Sequence, residues 1–232
     1  TASELQETVG TFSIMVELPQ KYRGTHMSRF IELLEKHREK ITAKEIEPIL
    51  HNLKKTFSSQ AAYLKVSFPY FIRVKSPDTG KQSYLDTTAT FTGKLKDDNY
   101  QFELSVKTPV HLLCPCSKQI TEGRVAHNQR AYVTISVRYH KNEFIWIEEL
   151  AKLSEEKASA PVRALIKRRD EKMMVEHAYQ NPRFVEDTAR DIVSSLAKDN
   201  RITYLKVEVE SMESIHNHKA YAMIEKNLKG DN

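Results

Sequence analysis

Two cysteines and a histidine lie close together in residues 113–130 (LCPCSKQITEGRVAHNQR), and they are the most reactive side chains in the sequence. A thiolate is both a strong zinc ligand and a strong nucleophile, and a neutral imidazole also binds divalent transition metals. In an extended strand interrupted by Pro115, Cys114 and Cys116 would point to the same side. This spacing predicts one metal ligand and one nucleophile. The alternative is two small buried hydrophobic residues, since C-x-C followed by the single His127 is not a zinc-finger pattern.

The elements around this stretch are predicted from hydrophobic periodicity. Strands rich in β-branched and aromatic residues flank it, at 100–107 and 130–139. Asn181 is expected to cap the last helix, with Pro182 at its first position. The remaining elements, in chain order, are a strand at 11–18, a helix from Ser28, a helix from Thr42, strands at 62–74 and 84–93, helices at 143–153, 171–179 and 182–197, and strands at 202–211 and 216–226.

The order of strand, two helices and two strands in the first half is repeated in the second half. Tyr63-Leu64-Lys65-Val66 is echoed by Tyr204-Leu205-Lys206-Val207, each time after a two-helix segment. We therefore predict an α+β chain of two tandem β-β-α-α-β-β-like modules, 1–96 and 97–232, the second carrying the reactive residues. Such modules leave sheet edges unpaired, so association into an oligomeric barrel is expected.

Composition narrows the class of protein. Of the 232 residues, 40% are hydrophobic and 29% charged, which excludes a disordered chain, and no apolar run approaches the ~20 residues needed to span a bilayer. No secretory signal is visible, and two cysteines one residue apart cannot staple the fold, so a cytoplasmic location is expected. A net charge of +5 suits a polyanionic partner, either nucleic acid or a nucleoside triphosphate.

Five short motifs point to a family. They are CPCSK (114–118), AHNQR (126–130), GTHMSRF (24–30), NPRFVED (181–187) and ESIHNH (213–218). Together they span most of the chain and resemble the type IB GTP cyclohydrolase family in content and order. One extra residue, in the EGRV segment before His127, departs from the family pattern. The resemblance implies a tunnelling fold with antiparallel sheets and helices on one face, assembled as a homotetramer with sites between subunits.

The same resemblance implies a reaction. GTP and water would give 7,8-dihydroneopterin triphosphate and formate, the first step towards tetrahydrofolate, pterins and deazaguanines. A bound divalent metal (zinc, manganese or iron) would activate water. The implied metal ligands are Cys114, His127 and Glu171, the implied substrate-directed thiol is Cys116, and the implied proton-transfer groups are Glu213, His216 and His218. Several of these residues also have an alternative interpretation. Cys116 would be a second metal ligand and Glu171 a solvent-exposed helix residue, while His216 and His218 would be surface residues or would themselves bind a metal.

Recognition of the substrate is expected to involve Glu186. One carboxylate can accept from both N1–H and the 2-amino group of guanine; the alternative is an ion pair with Arg190. The sequence contains no G-x-x-x-x-G-K-[ST] loop, so basic side chains must hold the triphosphate. The candidates, in or beside the motifs, are Arg23, Arg29, Lys118 and Arg130.

Two other functions compete with this interpretation. The first is an archaeal-type cyclohydrolase that uses iron and forms a cyclic phosphate product. The second is a non-catalytic basic module in which structural zinc supports RNA binding. RNA binding usually needs exposed aromatics between basic residues, whereas most aromatics here are predicted on core faces, so we expect neither nucleic-acid nor membrane partners.

Overall fold

The computed structural model describes residues 6–18, 24–37 and 41–228. Across these ranges there are seven strands and six α-helices, with a short 3-10 turn at Ala43–Glu45 before the second helix. The strands are β1 Thr11–Val16, β2 Ala61–Lys75, β3 Gln82–Lys96, β4 Asn99–Leu113, β5 Asn128–Tyr139, β6 Ile202–Ser211 and β7 Ala220–Asn227. The helices are α1 Ser28–Glu35, α2 Ile46–Phe57, α3 Pro115–Ile120, α4 Ile147–Lys157, α5 Arg168–Gln180 and α6 Val185–Leu196.

The strands form one seven-stranded sheet in which spatial order follows chain order, from β1 to β7. The pairs β1–β2, β5–β6 and β6–β7 are antiparallel. The echoed tetrapeptides occupy comparable positions: Leu64 and Val66 on β2, and Leu205 and Val207 on β6, are all buried. The repeated pattern therefore places the same apolar side chains into a core. The boundary between modules 1–96 and 97–232 stays a prediction.

One compact unit consists, among the described residues, of 9–18, 24–37, 41–68 and 90–105. Helix α2 buries Ile46, Ile49, Leu50 and Leu53 completely, at the spacing of one helical face. The helix approaches the strand closely at Gly93, where a Cβ atom would lie 2.3 Å from Cγ2 of Ile46. Only glycine permits this contact, so it fixes where the helix packs on the sheet.

The other compact unit contains, of the described residues, 6–8, 69–89 and 106–228. Helix α6 contacts β6 and β7, and α4 contacts β5. The buried residues of α6 recur at helical spacing (Val185, Ala189, Ile192, Val193 and Leu196). Both cysteines and six of the nine histidines belong to this unit. Within the described residues, no helix is long and apolar enough to cross a membrane.

The structure corrects several predicted element boundaries. Helix α4 begins at Ile147 rather than residue 143, because the Glu149 carboxylate accepts from the backbone N–H of Trp146 at 2.9 Å. Helix α6 begins at Val185, since Asp187 accepts from the N–H of Phe184 at 3.1 Å. Asn181 therefore ends α5 instead of capping α6, and Pro182 lies between the two helices.

Asp170, at the start of α5, is a completely buried carboxylate. Its oxygens accept hydrogen bonds from the backbone N–H groups of Asp78, Thr79 and Lys167 at 2.9–3.0 Å, and from the Thr79 hydroxyl at 2.7 Å. Burial opposes ionisation, but these four hydrogen bonds outweigh it and lower the pKa of Asp170 to about 2. The carboxylate thus joins the β2–β3 turn to the first turn of α5.

We expect Asp170→Asn to lower the thermal unfolding midpoint by about 4–10 °C at pH 7, because an amide nitrogen cannot accept these hydrogen bonds. The pKa is lower in the folded state, so the stabilisation is complete above about pH 4 and is lost as the pH falls towards 2. Unfolding midpoints of wild type and variant should therefore converge in acid. Asp86→Asn, at an exposed strand position, is the matched control. An equal effect of both substitutions would contradict the buried-carboxylate interpretation.

Candidate active site

Three neighbouring strands bring the predicted chemistry to one edge of the sheet. Cys114 directly follows β4, His127 directly precedes β5, and Glu213 follows β6. The N–H of Cys114 donates to the carbonyl of His127 at 3.1 Å, and the N–H of Met212 donates to the carbonyl of Arg130 at 2.9 Å. These backbone hydrogen bonds continue the β4–β5 and β5–β6 pairings beyond the strands. Residues far apart in the chain are therefore held at the same edge.

The two cysteines do not share a strand. Cys114 is the N-cap of α3, where its Sγ accepts from the N–H of Ser117 at 3.4 Å, and Pro115 occupies the first helical position. Cys116 is therefore helical, and the prediction that the two side chains lie on the same side of a strand is wrong. Proline favours the first turn of a helix, because its missing N–H needs no partner there. Cys114 is half-buried and Cys116 exposed, which distinguishes the two thiols chemically.

Side chains close the loop that carries both cysteines. The Ser117 hydroxyl accepts from the N–H of His127 at 3.2 Å. Lys118 donates to the carbonyl of Tyr179 at 2.6 Å and lies 4.2 Å from the centre of that ring. The Tyr179 hydroxyl in turn donates to the carbonyl of Gly123, which has a φ of +76°. Lys118, predicted to hold phosphate, thus joins the loop to α5.

A chain of hydrogen bonds connects His127 to Glu213. Nδ1 of His127 lies 2.9 Å from Oε1 of Gln129, and Nε2 of Gln129 donates to Oε1 of Glu213 at 3.2 Å. Gln129 is 9% exposed. We call Cys114, His127, Gln129 and Glu213 the edge cluster. Gln129 had no assigned role in the sequence prediction, although the i, i+2 spacing from His127 on a strand was a signal that they share a side.

His216 and His218 lie in a bent segment before β7, which starts at Ala220 rather than at residue 216. Strand parity therefore does not relate them, but their rings stack with centroids 5.1 Å apart and an interplanar angle of 24°. The bend follows the β6 end that carries Glu213. The three predicted proton-transfer residues thus share one connection.

The predicted metal ligands are brought together only in part. The Cys114–His127 backbone pair places a thiol and an imidazole next to each other, and both donor types suit a divalent transition metal. Glu171 is exposed in the first turn of α5. In the part of the chain that the structure describes, no three His, Cys, Asp or Glu side chains are close enough to hold a metal ion.

Glu186, the predicted guanine-binding residue, is exposed at the second position of α6. The segment before this helix is connected to the end of β4, because the N–H of Arg183 donates to the carbonyl of Leu113 at 3.0 Å. Arg190 pairs with Asp187 at 3.5 Å. Arg190 thus pairs with Asp187 and not with Glu186, whose alternative role was an ion pair with Arg190.

The basic candidates for the triphosphate lie in different settings. Arg130 is exposed on β5. Arg29 is exposed in the first turn of α1, in the same compact unit as α2. Arg23 lies outside the described residues.

Comparison with known proteins identifies the family. The family model described as type I GTP cyclohydrolase FolE2 matches residues 1–222. The chain belongs to this family. It is 48% identical over 219 residues to the GTP cyclohydrolase FolE2 of Fervidobacterium nodosum, covering 94% of this chain and 83% of that protein. It is 47% identical over 226 residues to the GTP cyclohydrolase FolE2 of Geobacter sulfurreducens, covering 97% and 86%.

Similarity to solved structures confirms the predicted fold class. A uricase from Arthrobacter globiformis matches 99% of this chain and 96% of its own, with a TM-score of 0.53 at 8% identity. A uricase from Bacillus fastidious matches 94% and 81%, with a TM-score of 0.55 at 8% identity. This FolE2 family member therefore has the tunnelling fold, with an antiparallel sheet and helices on one face.

Proposed function

We propose that the chain is a GTP cyclohydrolase that converts GTP and one net water to 7,8-dihydroneopterin triphosphate and formate, the first step of folate biosynthesis. The observation that carries this proposal is the edge cluster, formed by motif residues of a chain that belongs to the FolE2 family. A thiol, an imidazole and a carboxylate at one sheet edge suit hydrolytic opening of the guanine imidazole ring. That reaction needs an activated water and several proton transfers.

In this proposal Cys114 and His127 hold a divalent metal, with Glu171 as a third ligand. When bound, such an ion activates water at neutral pH by lowering its pKa from 15.7 to about 7. Nδ1 of His127 is engaged by Gln129, which leaves Nε2 as the coordinating nitrogen. Because Glu171 does not form a three-residue cluster with them here, its side chain or the cysteine loop must move for all three to bind one ion.

The other motif residues act on substrate in this proposal. Cys116 is an exposed thiol two residues after the metal-binding cysteine, and in this proposal it acts on the substrate. Glu213, His216 and His218 move protons; the stacked histidine rings support a shared task. Glu186 accepts from guanine N1–H and the 2-amino group, while Arg23, Arg29 and Arg130 remain candidates for the triphosphate. Lys118 is also a candidate for the triphosphate, and its ammonium donates to the carbonyl of Tyr179 in α5.

Purified protein should be incubated with GTP and Zn²⁺, Mn²⁺ or Fe²⁺, and then assayed for formate and, after oxidation, for a fluorescent pterin. We expect the two products in equal amounts, and neither after the metal is chelated. Mass spectrometry of the pterin separates the open triphosphate from the cyclic phosphate of the archaeal-type alternative. A metal-loaded protein that leaves GTP unchanged would refute the proposal and favour the non-catalytic alternative.

The proposal includes assembly as a homotetramer. Four strand residues, Phe71, Tyr84, Tyr221 and Met223, carry exposed large apolar side chains. Neighbouring subunits that cover these strands would bury them. A monodisperse monomer in sedimentation at micromolar concentration would contradict the tetramer without affecting the assignment of the reaction.

A further inference from the structure

We propose that Gln129 is a positioning residue. The Glu213 carboxylate orients its amide, and the amide oxygen in turn keeps the hydrogen of His127 on Nδ1, so that only Nε2 can bind a metal ion. The inference rests on the proposed metal site at His127. It concerns a residue that touches neither the metal nor the substrate in that proposal.

Glu213 lies at one end of this chain of hydrogen bonds. An ionised carboxylate can only accept hydrogen bonds, so the group of Gln129 that faces it at 3.2 Å must be the NH₂ end of the amide. Rotating the amide by 180° would bring its oxygen against the carboxylate oxygen. The orientation of the glutamine amide is therefore set by Glu213.

The orientation of the Gln129 amide in turn determines the tautomer of His127. With its NH₂ group facing Glu213, Gln129 presents Oε1 to Nδ1 of His127 at 2.9 Å. A carbonyl oxygen can only accept, so Nδ1 must carry the hydrogen and the lone pair of the neutral ring lies on Nε2. Metal-binding histidines commonly have the second nitrogen held in this way, and loss of that partner typically weakens metal affinity 10–100-fold.

The surroundings of Gln129 make this orientation stable. Its side chain is 9% exposed and lies on β5, two residues before the completely buried Ala131. The neighbouring strand is in register at this point, since Ala131 pairs with Ser211, and Glu213 follows two residues later. Side chains at these alternate positions share a face of the sheet. The distance between Gln129 and Glu213 is therefore set by strand pairing rather than by a mobile loop.

Metal-free protein tests the first link directly. With ¹⁵N-labelled histidine at about pH 8, NMR of wild type should show His127 mainly as the Nδ1–H form. Gln129→Met keeps the length of the side chain but removes both hydrogen bonds, and it should shift His127 towards the mixture seen in exposed histidines. Gln180→Met, at the exposed end of α5, is the control and should leave the spectrum unchanged. An unchanged His127 signal in Gln129→Met would overturn the proposal.

Zn²⁺ affinity, measured by competition with a chromophoric chelator, tests the second link. Gln129→Met should weaken binding 10–100-fold. Glu213→Gln should weaken it too, because an amide at 213 permits both orientations of Gln129. In the Gln129→Met background, Glu213→Gln should have no further effect. Additive losses would show that Glu213 acts on the metal directly, which would refute the relay.

Two comparisons keep these outcomes separate from misfolding and from the proposed reaction. Gln129→Glu preserves the acceptor for Nδ1 but sets a carboxylate against Glu213, so it should retain the Nδ1–H form while weakening substrate turnover. The unfolding midpoint of each variant should be close to that of wild type, which shows that the variant keeps its fold. If wild type binds Zn²⁺ and shows the relay but leaves GTP unchanged, the reaction assignment fails and the positioning role stands.

Discussion

Cys116→Ala should lower kcat/KM for formate release from GTP by about 10²–10⁴-fold while the protein retains its metal. The reason lies in the different settings of the two thiols. Cys114 caps α3 and is half-buried beside His127, whereas Cys116 is exposed in the first turn of that helix. Metal content by mass spectrometry and initial rates of formate release, measured on the same preparations, test the prediction.

Cys114→Ala is the matched comparison, since it removes a thiol two residues away. We expect it to lose metal and activity together, as should His127→Ala. Cys116→Ser should keep the metal and recover at most a small part of the activity, because a hydroxyl is a weaker nucleophile and acid than a thiol. If Cys116→Ala strips the metal as completely as Cys114→Ala, the proposed division between ligand and reactive thiol is wrong.

Glu186→Gln should weaken GTP turnover more than turnover of inosine triphosphate. The amide directs a donor towards a guanine donor, which leaves hydrogen-bonding groups unsatisfied at a cost of about 1–3 kcal/mol, or roughly 5- to 150-fold in kcat/KM. Inosine triphosphate lacks the 2-amino group, so its penalty should be smaller. ATP should be a negligible substrate of wild type, since sites built for hydrogen bonds reject analogues without them by about 10⁴–10⁵.

Asp187→Asn provides the control, because it removes a charge from the neighbouring residue of α6. Asp187 bonds the N–H of Phe184 and pairs with Arg190, so this change should affect helix stability and not the choice of base. Its penalties for the two nucleotides should be equal. Equal penalties for Glu186→Gln as well would show that Glu186 does not contact the 2-amino group.

Hydrophobic periodicity was sufficient to locate most of the strands. The strand expected at 62–74 is β2, Ala61–Lys75, and that expected at 202–211 is β6, Ile202–Ser211. In both strands, apolar side chains alternate over several residues, and the alternate side chains are the buried ones. The fold class followed from these elements together with the family resemblance.

Capping hydrogen bonds determine where the helices start, which hydrophobic periodicity alone could not predict. The start of α6 depends on the Asp187 carboxylate reaching the N–H of Phe184, although Asn181 and Pro182 offered an equally plausible start in the sequence. Pro115 presented a similar ambiguity. It fits an interrupted strand as well as the first turn of a helix, and the helix formed with Cys114 as its cap.

The edge cluster and the buried Asp170 depend on residues distant in the chain. Gln129 meets Glu213 because β5 and β6 pair in a particular register, and Asp170 meets Thr79 across the packing of α5 on a turn. Neither contact leaves a periodic signal in one segment. The sequence motifs predicted roles for the reactive side chains, whereas the contacts of Gln129 and Asp170 required the three-dimensional arrangement.

The order of the strands also bears on how the chain folds. Six successive pairings connect neighbours in sequence, and most of the intervening segments are short. The helices α1 and α2 separate β1 from β2, and the longest segment separates β5 from β6, because all of α4, α5 and α6 lies between Tyr139 and Ile202. Closing a longer loop has a larger entropic cost. That cost falls on the pairing that brings Gln129 to Glu213, so completion of the edge cluster is coupled to the docking of three helices rather than to a local hairpin.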